Sequence, residues 1–429
     1  MLVIYTPHIS PRLQYIVAYL FEGSARITTS IEEYQHDENI KINYSSTPLF
    51  ESELWILPSR LLMEDTIHEV EIDVQRWNAL PIFFATNGSI PFDIFSASFY
   101  LLSRYEEYLP HEKDRYGRYV HTNSAAYKHQ FIDQPLIDLW MQELELILKQ
   151  QRPSWHLPVR IFTIQPSYDI DEPYRYMWQS PFRNIRGYFI DFLQGKFEHV
   201  TNRMKVLAGK QKDPYDVYEW LDQLHEQYHL DPVYFFLLAE KRTLLDKNID
   251  PYTKGMQQLV QRHSEKYNIG IHPSTQSIGN MDTVKRECQL LAYHTDKKVN
   301  RSRQHYLMME LPDTYRSLMA LGIQHDYSMG YGSVNGFRAS VAHPFYWYDL
   351  QNEKTTSLLI HPFCYMDSTA IFYERLNTEM AFEQMNTFYE RVKQVNGTFS
   401  FILHNHFLAE QSEWMMWRQL YEDFLHKHC

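Results

Sequence analysis

Cysteine is scarce: three residues, Cys288, Cys364 and Cys429, in a chain of 429. They are odd in number, far apart and without metal-finger spacing, which excludes a disulfide framework and fits a reducing compartment. All three read as packing residues. Long apolar runs are missing too, since no stretch approaches the roughly 20 residues that span a bilayer. The opening MLVIYTPHISPRLQYIV places Pro7, His8 and Pro11 where a secretory leader needs an apolar core, and Arg12 follows the apolar residues instead of preceding them. A cytoplasmic location is the resulting expectation. Positive charge is in deficit, 41 Lys and Arg against 53 Asp and Glu, and the net charge of −12 argues against binding nucleic acid through its phosphates. Internal repeats and low-complexity tracts do not occur, and ordinary proportions of apolar (44%) and charged (22%) residues exclude disorder, coiled coil and collagen. What is abundant is aromatic: 15% of the chain, with 32 Tyr. Aromatic faces serve sugar binding, but an aromatic-rich core and surface is the better-founded reading.

At roughly 100 to 200 residues per domain, the length predicts two or three domains. Two regions read differently. Residues 1–155 carry short apolar runs at 2–5, 54–57 and 82–85, then a helical block, PFDIFSASFYLLSRYEEYL, in which Phe92, Phe95, Phe99 and Leu102 recur at helical spacing behind Pro91 and Asp93. A turn-rich DRYGRY and a helix over 135–149 follow. Polar residues and two prolines in QQRPSWHLP, residues 150–158, mark the boundary. Beyond it the pattern predicts strands at 159–164, 233–238, 269–272, 302–306, 323–327, 357–362 and 398–404. Helical periodicity fills 215–227, 253–267, 282–294, 314–321, 378–395 and 412–426. Such alternation predicts an α/β fold, a (β/α) barrel over 156–429 preceded by a smaller α/β N-terminal domain over 1–155.

In such a barrel catalytic groups gather at the C-terminal ends of strands. The first strand runs into SYDID, whose Asp169 and Asp171, two residues apart, share a face if the chain stays extended. The third ends in GIHPS with His272, the fourth in RQHY with Arg303, His305 and Tyr306, and the seventh in FILHNH with His404 and His406 on one face. Two carboxylates, several imidazoles and a guanidinium at one rim have the composition of a metal or acid-base site. Taken singly, any of the 21 His is more readily a structural or surface residue. Arg338, after the fifth strand, suits either an anionic substrate group or a loop-bracing salt bridge. His361 ends the sixth strand at the same rim, with Asp367 following, and is a substrate-contact candidate. His343 and the run Phe345, Tyr346, Trp347, Tyr348 read as packing sooner than as a sugar-stacking wall. Arg104, Glu106 and Glu107 read as an internal ion-pair network.

The order SYDID, GIHPS, RQHY, LHNH resembles the motifs of the NodB-homology polysaccharide deacetylases over about residues 156–429. The phrases SRYEEYLP, SRQHY, DYSMGY and GFRAS are similar to those of a subgroup with an α/β region ahead of the barrel. This resemblance implies a distorted (β/α)7-type barrel, a divalent metal, expected to be zinc, and removal of N- or O-acetyl groups from glycans. By position it implies Asp169 as catalytic base. The family's metal-binding aspartate follows directly, but Ile170 stands there, so Asp171 is the ligand candidate and the two roles stay open to exchange. His272 matches the second histidine of the family's ligand pair, while Asn268 occupies the place of the first and is a poor zinc ligand. Arg303 and Tyr306 match the third motif, the arginine orienting the base and the tyrosine N–H serving the oxyanion, with His305 in place of a proline. LHNH approximates the last motif, Leu-x-His: strict spacing from Leu403 gives Asn405, and His404 is preferred as the acid over His406, which is left as a substrate contact. One imidazole is lost and one gained, which suggests that His305 takes the vacant position and completes an open three-ligand site with Asp171 and His272. The alternative is that His305 only hydrogen-bonds a carboxylate and no metal binds. The expected activity is deacetylation of an N-acetylated carbohydrate, anionic or lipid-linked substrates included. Its rivals are a metal-independent amide hydrolase using Asp169 and His404, and a catalytically inactive glycan-binding protein.

A long insertion separates the first two strands. Residues 181–212 hold seven basic residues (Arg183, Arg186, Lys196, Arg203, Lys205, Lys210, Lys212) against Asp191 and Glu198, with apolar residues from Ile185 to Leu207 near helical spacing. They predict amphipathic helices with a basic face. Such helices either pack their apolar side on the barrel or form a lid that meets an anionic substrate or makes peripheral contact with an anionic membrane surface.

Overall fold

The structure, a computed structural model, describes residues 1–51 and 53–429. β1 (Leu2–Tyr5), α1 (Pro11–Phe21), β2 (Ala25–Thr28), α2 (Ile31–His36), β3 (Ile40–Tyr44) and β4 (Leu54–Ile56) build a parallel sheet in the order β2-β1-β3-β4. All four residues of β1 are buried, as a central parallel strand covered on both faces requires. A short antiparallel pair, β5 (Gln75–Trp77) and β6 (Leu80–Ile82), leads to α3 (Ile94–Leu102), whose first turn is capped by the Asp93 carboxylate at the Ser96 N–H. α4 (Ala125–Lys128) and α5 (Leu136–Gln151) complete this part.

The second sheet starts with β7 (Thr163–Ile170), followed by α6 (Pro181–Leu193), α7 (Phe197–Leu207), α8 (Tyr218–Gln227), β8 (Val233–Leu237), α9 (Lys254–Lys266) and β9 (Asn268–His272). It continues with α10 (Met281–Thr295), β10 (Arg301–Ser302), α11 (Asp313–Ala320), β11 (His325–Asp326), β12 (Phe345–Asp349) and β13 (Lys354–Ile360). β14 (Tyr365–Met366), α12 (Thr378–Gln394), β15 (Thr398–His404) and α13 (Met415–His428) end the chain. The strand order is β12-β13-β11-β10-β9-β8-β7-β15-β14, parallel throughout except for β12, which runs antiparallel to β13. The fold is therefore mixed α/β with a mainly parallel sheet. That sheet curls strongly: β7 and β10 are three strands apart, about 14 Å in a flat sheet, yet Asp171 just beyond β7 lies 3.4 Å from His305 just beyond β10. Residues 354–366 carry both β13, paired with β11, and β14, paired with β15, so one segment reaches both flanks of the curl. Among the described residues no helix is long and apolar enough to cross a membrane.

Three expectations change at element level. The run at 159–164 is not the first strand: the ladder starts at Thr163, opposite Thr398, because β15 has no partner residues further back, and Val159 and Ile161 remain exposed. The fourth strand, expected over 302–306, pairs only at Arg301 and Ser302; Tyr306 and Leu307 adopt left-handed conformations (φ 56° and 53°) that turn the chain out of the ladder. The helices of the 181–212 insertion form, but do not lay their apolar side on the sheet: Phe182, Phe189 and Leu193 stand in solvent.

The two sheets share one apolar core that extends from Leu2 to Leu425. The edge strand β12 receives α1: Tyr15 packs on Tyr348 (ring centroids 4.8 Å) and its hydroxyl donates to the Tyr346 carbonyl (2.8 Å), while the buried Arg12 pairs with Glu353 (2.6 Å). Phe345, Trp347 and Tyr348 are thus packing residues. Arg104, Glu106 and Glu107 form the ion-pair network expected of them, and Arg338 joins it. Glu107 takes Arg338 at Oε2 (2.6 Å) and Arg104 at Oε1 (2.7 Å), and Arg104 also reaches Glu106 (2.8 Å). Burial alone would raise the Glu107 carboxyl, but the two guanidinium groups outweigh it and hold it at about 2. Its pairing therefore contributes stability above the ordinary glutamate range that is lost as pH falls toward 2. Glu107→Gln leaves two buried guanidinium groups without a full counter-charge and is expected to cost about 3–5 kcal/mol, measured by urea unfolding at neutral pH.

Candidate metal and acid-base site

The curl brings the ends of β7, β9, β10 and β15 to one cleft of about 620 Å³. Along β7 side chains alternate, so Ser167, Asp169 and Asp171 face the cleft side while Tyr168 and Ile170 enter the core. Under the cleft floor the fully buried Arg303 donates from Nη1 to Asp169 Oδ1 (2.9 Å), from Nη2 to Ser167 Oγ (2.9 Å) and from Nε to the Tyr327 carbonyl (3.0 Å). Every guanidinium nitrogen is used. Asp169 Oδ2 is left turned to the cleft, 3.6 Å from His272 Nε2.

Both imidazoles beside Asp171 have their tautomers set from behind. His272 Nδ1 lies 2.6 Å from the Arg303 carbonyl, which can only accept, so Nδ1 carries hydrogen and Nε2 points at Asp171 Oδ1 (3.3 Å). His305 Nδ1 faces Asp246 Oδ1 (3.0 Å), leaving Nε2 3.4 Å from Asp171 Oδ2. Asp246 is itself held by the Thr275 N–H (2.9 Å) and hydroxyl (2.6 Å). The rings of His272 and His305 are 4.8 Å apart. Asp171, His272 and His305 each offer one ligand atom, all within 4.8 Å of one another, and Asp171 Oδ1 and His305 Nε2 are buried without a hydrogen-bond partner. Donors about 2 Å from a tetrahedral cation stand about 3.3 Å apart, and an imidazole whose rear nitrogen is engaged by carboxylate or carbonyl is the usual arrangement of a metal ligand. The three residues fit a divalent cation. In the metal-free protein burial disfavours the His305 imidazolium, but Asp171 and Asp246 outweigh it and bring its pKa up to about 9; burial likewise opposes ionised Asp171, yet His305 and His272 hold it well below the usual carboxylate range.

On the other side stands His404, the last residue of β15. Asp367 grips it twice, accepting from the backbone N–H (2.7 Å) and from Nδ1 (2.6 Å), so Nε2 points into the cleft 3.7 Å from Asp171 Oδ2. Burial works against its charged form, but Asp367, then Asp171 and Asp169, raise it to about 9. His406 is different: burial and the neighbouring His404 push it to about 3, so it is neutral, and its ring lies on Phe407 (4.0 Å). Asn405, the residue at strict motif spacing, turns away and donates to the carbonyls of Glu172 (3.0 Å) and Tyr215 (3.1 Å).

Asp169, Asp171, His272, His305, Tyr306, His404 and His406 line one cleft, with Arg303 beneath. Arg338 and His361 do not reach it. Arg338 is consumed by Glu107 of the N-terminal part, and His361 lies flat on Tyr327 (4.2 Å) with Nε2 on His325 Nδ1 (3.0 Å), burial and His325 lowering it to about 3. Both follow strand ends, but Glu107 claims the first and Tyr327 and His325 cover the second.

Two contributors escaped the sequence reading. Asp246 lies in the connection of residues 238–253 after β8, whose length well beyond the usual 2 to 6 residues was the available signal. The other is the DRYGRY turn, read only as a turn. Arg118, held by Asp114 (2.7 Å), donates to the Tyr306 carbonyl (2.9 Å) and the Tyr373 hydroxyl (3.1 Å), and Tyr116 packs on Tyr306 (5.3 Å). The N-terminal part thus supplies a wall of the cleft and pins the left-handed turn after His305. Arg118→Ala is expected to lower kcat/KM for whatever the cleft turns over by about tenfold or more, with Arg118→Lys restoring part of it; equal kinetics in all three proteins would assign Arg118 to packing alone.

Comparisons with known proteins give the following. Residues 2–153 match DUF7033, a family of unknown function. No curated protein matches the chain. Among solved structures the chain is similar to a protein from Mycobacterium smegmatis described as a polysaccharide deacetylase, at 11% identity, covering 63% of this chain and 86% of that one, with a TM-score of 0.40. It is also similar to the polysaccharide deacetylase Bc1974 from Bacillus cereus (12% identity, 62% and 86% covered, TM-score 0.31). A third is BA3943, a CE4 family pseudoenzyme from Bacillus anthracis (8% identity, 61% and 62% covered, TM-score 0.29).

Proposed function

We propose that this protein is a metal-dependent carbohydrate deacetylase that hydrolyses the acetamide of an N-acetylated sugar. The reading takes residues 156–429 as a distorted seven-stranded (β/α) barrel carrying the site and residues 1–155 as a smaller α/β domain that packs on it and walls the site. One observation carries the proposal: two imidazoles with engaged rear nitrogens and one carboxylate converge with unsatisfied donor atoms between a free carboxylate oxygen of Asp169 and the Nε2 of His404.

A bound divalent cation, zinc by its preference for such ligands, would supply Lewis acidity and a water of lowered pKa. The chain's own residues divide the remaining work. Asp169 Oδ2, fixed in direction because Arg303 and Ser167 anchor the carboxylate and its partner, removes a proton from the attacking water. His404 Nε2–H, kept protonated through Asp367, gives a proton to the departing sugar nitrogen. The Tyr306 N–H, presented by the left-handed turn that Arg118 pins, is the donor for the carbonyl oxygen as charge gathers on it. Tyr116, Phe372, Tyr373, Phe407 and Trp414 give the sugar apolar faces to lie on, and Arg115 favours a substrate with a negative group, Arg118 and Lys247 being paired with Asp114 and Glu172.

The test is acetate release from N-acetylglucosamine oligomers by protein purified without chelators, with its metal content measured in parallel. Stoichiometric metal with metal-dependent acetate release supports the reading. Acetate release unaffected by metal removal would replace it with a metal-free amide hydrolase, and sugar binding without turnover with a glycan-binding protein.

A further inference from the structure

The helical hairpin of α6 and α7 is inside out. In α6, Phe182, Ile185, Phe189, Phe192 and Leu193 recur at spacings of three and four and share one face, yet they are 76%, 58%, 59%, 51% and 81% exposed. The polar face turns inward: Asn184 donates to the Tyr176 carbonyl (3.0 Å), and Asp191 pairs with Arg203 of α7 (2.7 Å). Phe197, Met204 and Leu207 of α7 extend the exposed apolar surface. A helix on a water-soluble body orients its apolar stripe toward the core, and an apolar patch left contiguous in solvent marks a contact surface.

Charge indicates what the surface meets. Within the hairpin Arg203 is neutralised by Asp191, and just beyond it Lys212 by Glu219 (3.1 Å). Arg186, Lys196, Lys205 and Lys210 have no carboxylate partner among the described residues, against Glu198 alone, on a chain of net charge −12. Unpaired cations around an apolar face complement a bilayer carrying anionic headgroups: the rings and aliphatic chains enter the acyl boundary and the cations meet phosphates. We propose that the α6–α7 hairpin docks this protein on an anionic phospholipid surface, lying in the interface without crossing it. The first turn of α7 adjoins the cleft, since Arg175 pairs with Glu413 (2.8 Å) beside Trp414 and lies 3.3 Å from His199 of α7. Docking therefore places the cleft mouth next to the membrane.

The experiment is flotation of the full chain with vesicles of phosphatidylcholine alone and of phosphatidylcholine with phosphatidylglycerol, at low and high salt. Binding to the anionic vesicles that weakens as salt rises is expected. Phe189→Glu with Leu193→Glu should reduce it to background, and Lys196→Gln with Lys205→Gln should weaken it about fivefold for each charge removed. The four side chains are exposed, and the two pairs probe the face independently, with circular dichroism checking that helix content is kept. Failure of the wild type to bind anionic vesicles, or equal binding by wild type and both paired variants, overturns the proposal. So does dimerisation without lipid, seen by sedimentation velocity and abolished by Phe189→Glu with Leu193→Glu, because the face would then belong to a second copy of the chain.

Discussion

Asp169→Asn is expected to lower turnover at least about a thousandfold while leaving metal content and KM near those of the wild type. The reasoning starts from what the carboxylate touches. Arg303 takes Oδ1, so only Oδ2 faces the cleft, and the ligand atoms that cluster tightly come from Asp171, His272 and His305. An amide in place of the carboxylate keeps the Arg303 contact through its carbonyl oxygen but cannot accept a proton. Asp171→Asn should do the opposite, losing metal first and activity as a consequence. Metal analysis of both variants beside acetate-release kinetics separates the roles: a metal-free Asp169→Asn protein together with a metal-replete Asp171→Asn protein means the two carboxylates are exchanged.

Why those carboxylates were legible in the sequence, and other parts were not, follows from where the signals lie. Period-two alternation puts Asp169 and Asp171 on one face whatever the sheet's shape, and strand ends in a parallel sheet share one rim, so His272, His305 and His404 follow from local pattern alone. Local pattern says nothing about what covers a residue from elsewhere. Arg338 and His361 also follow strand ends, but Glu107, from a segment over 200 positions away, claims the first, and Tyr327 and His325 cover the second. Asp246 and Arg118 reach the site from loops, where no periodicity points to a direction. The 181–212 segment is the sharpest case: its spacing predicted an apolar stripe correctly, but a stripe specifies a face and not its partner, and here the polar side, through Asn184 and Asp191, turns inward. Strand edges were lost for a related reason. The apolar run at 159–164 has strand composition, but pairing depends on how far the neighbouring strand extends, and 302–306 is taken out of its ladder by the left-handed turn at Tyr306 and Leu307.

Metal affinity is expected to rise steeply with pH. With the site metal-free, Asp171 and Asp246 hold the His305 imidazolium up to a pKa of about 9, so at neutral pH a proton occupies the ring whose Nε2 the cation needs. Loading therefore expels that proton, and below the pKa affinity should gain about tenfold for each pH unit, flattening as pH passes about 9. The sign is fixed by the raised pKa: a histidine lowered by burial alone would already be neutral, and the slope would vanish. Asp246→Asn tests the cause. The amide carbonyl can still accept from Nδ1, preserving the ring's orientation, but it no longer favours the imidazolium, so the curve should flatten at lower pH. It also makes the ligand less basic, which should weaken binding about 10- to 100-fold on the plateau. His305→Ala should remove stoichiometric metal and acetate release together. Competition with a chromophoric chelator across the pH range measures all three proteins. A wild-type affinity independent of pH, or an unaltered metal content in His305→Ala, would show that the cation is held by other groups and that His305 serves only as the hydrogen-bond partner of Asp171 and Asp246.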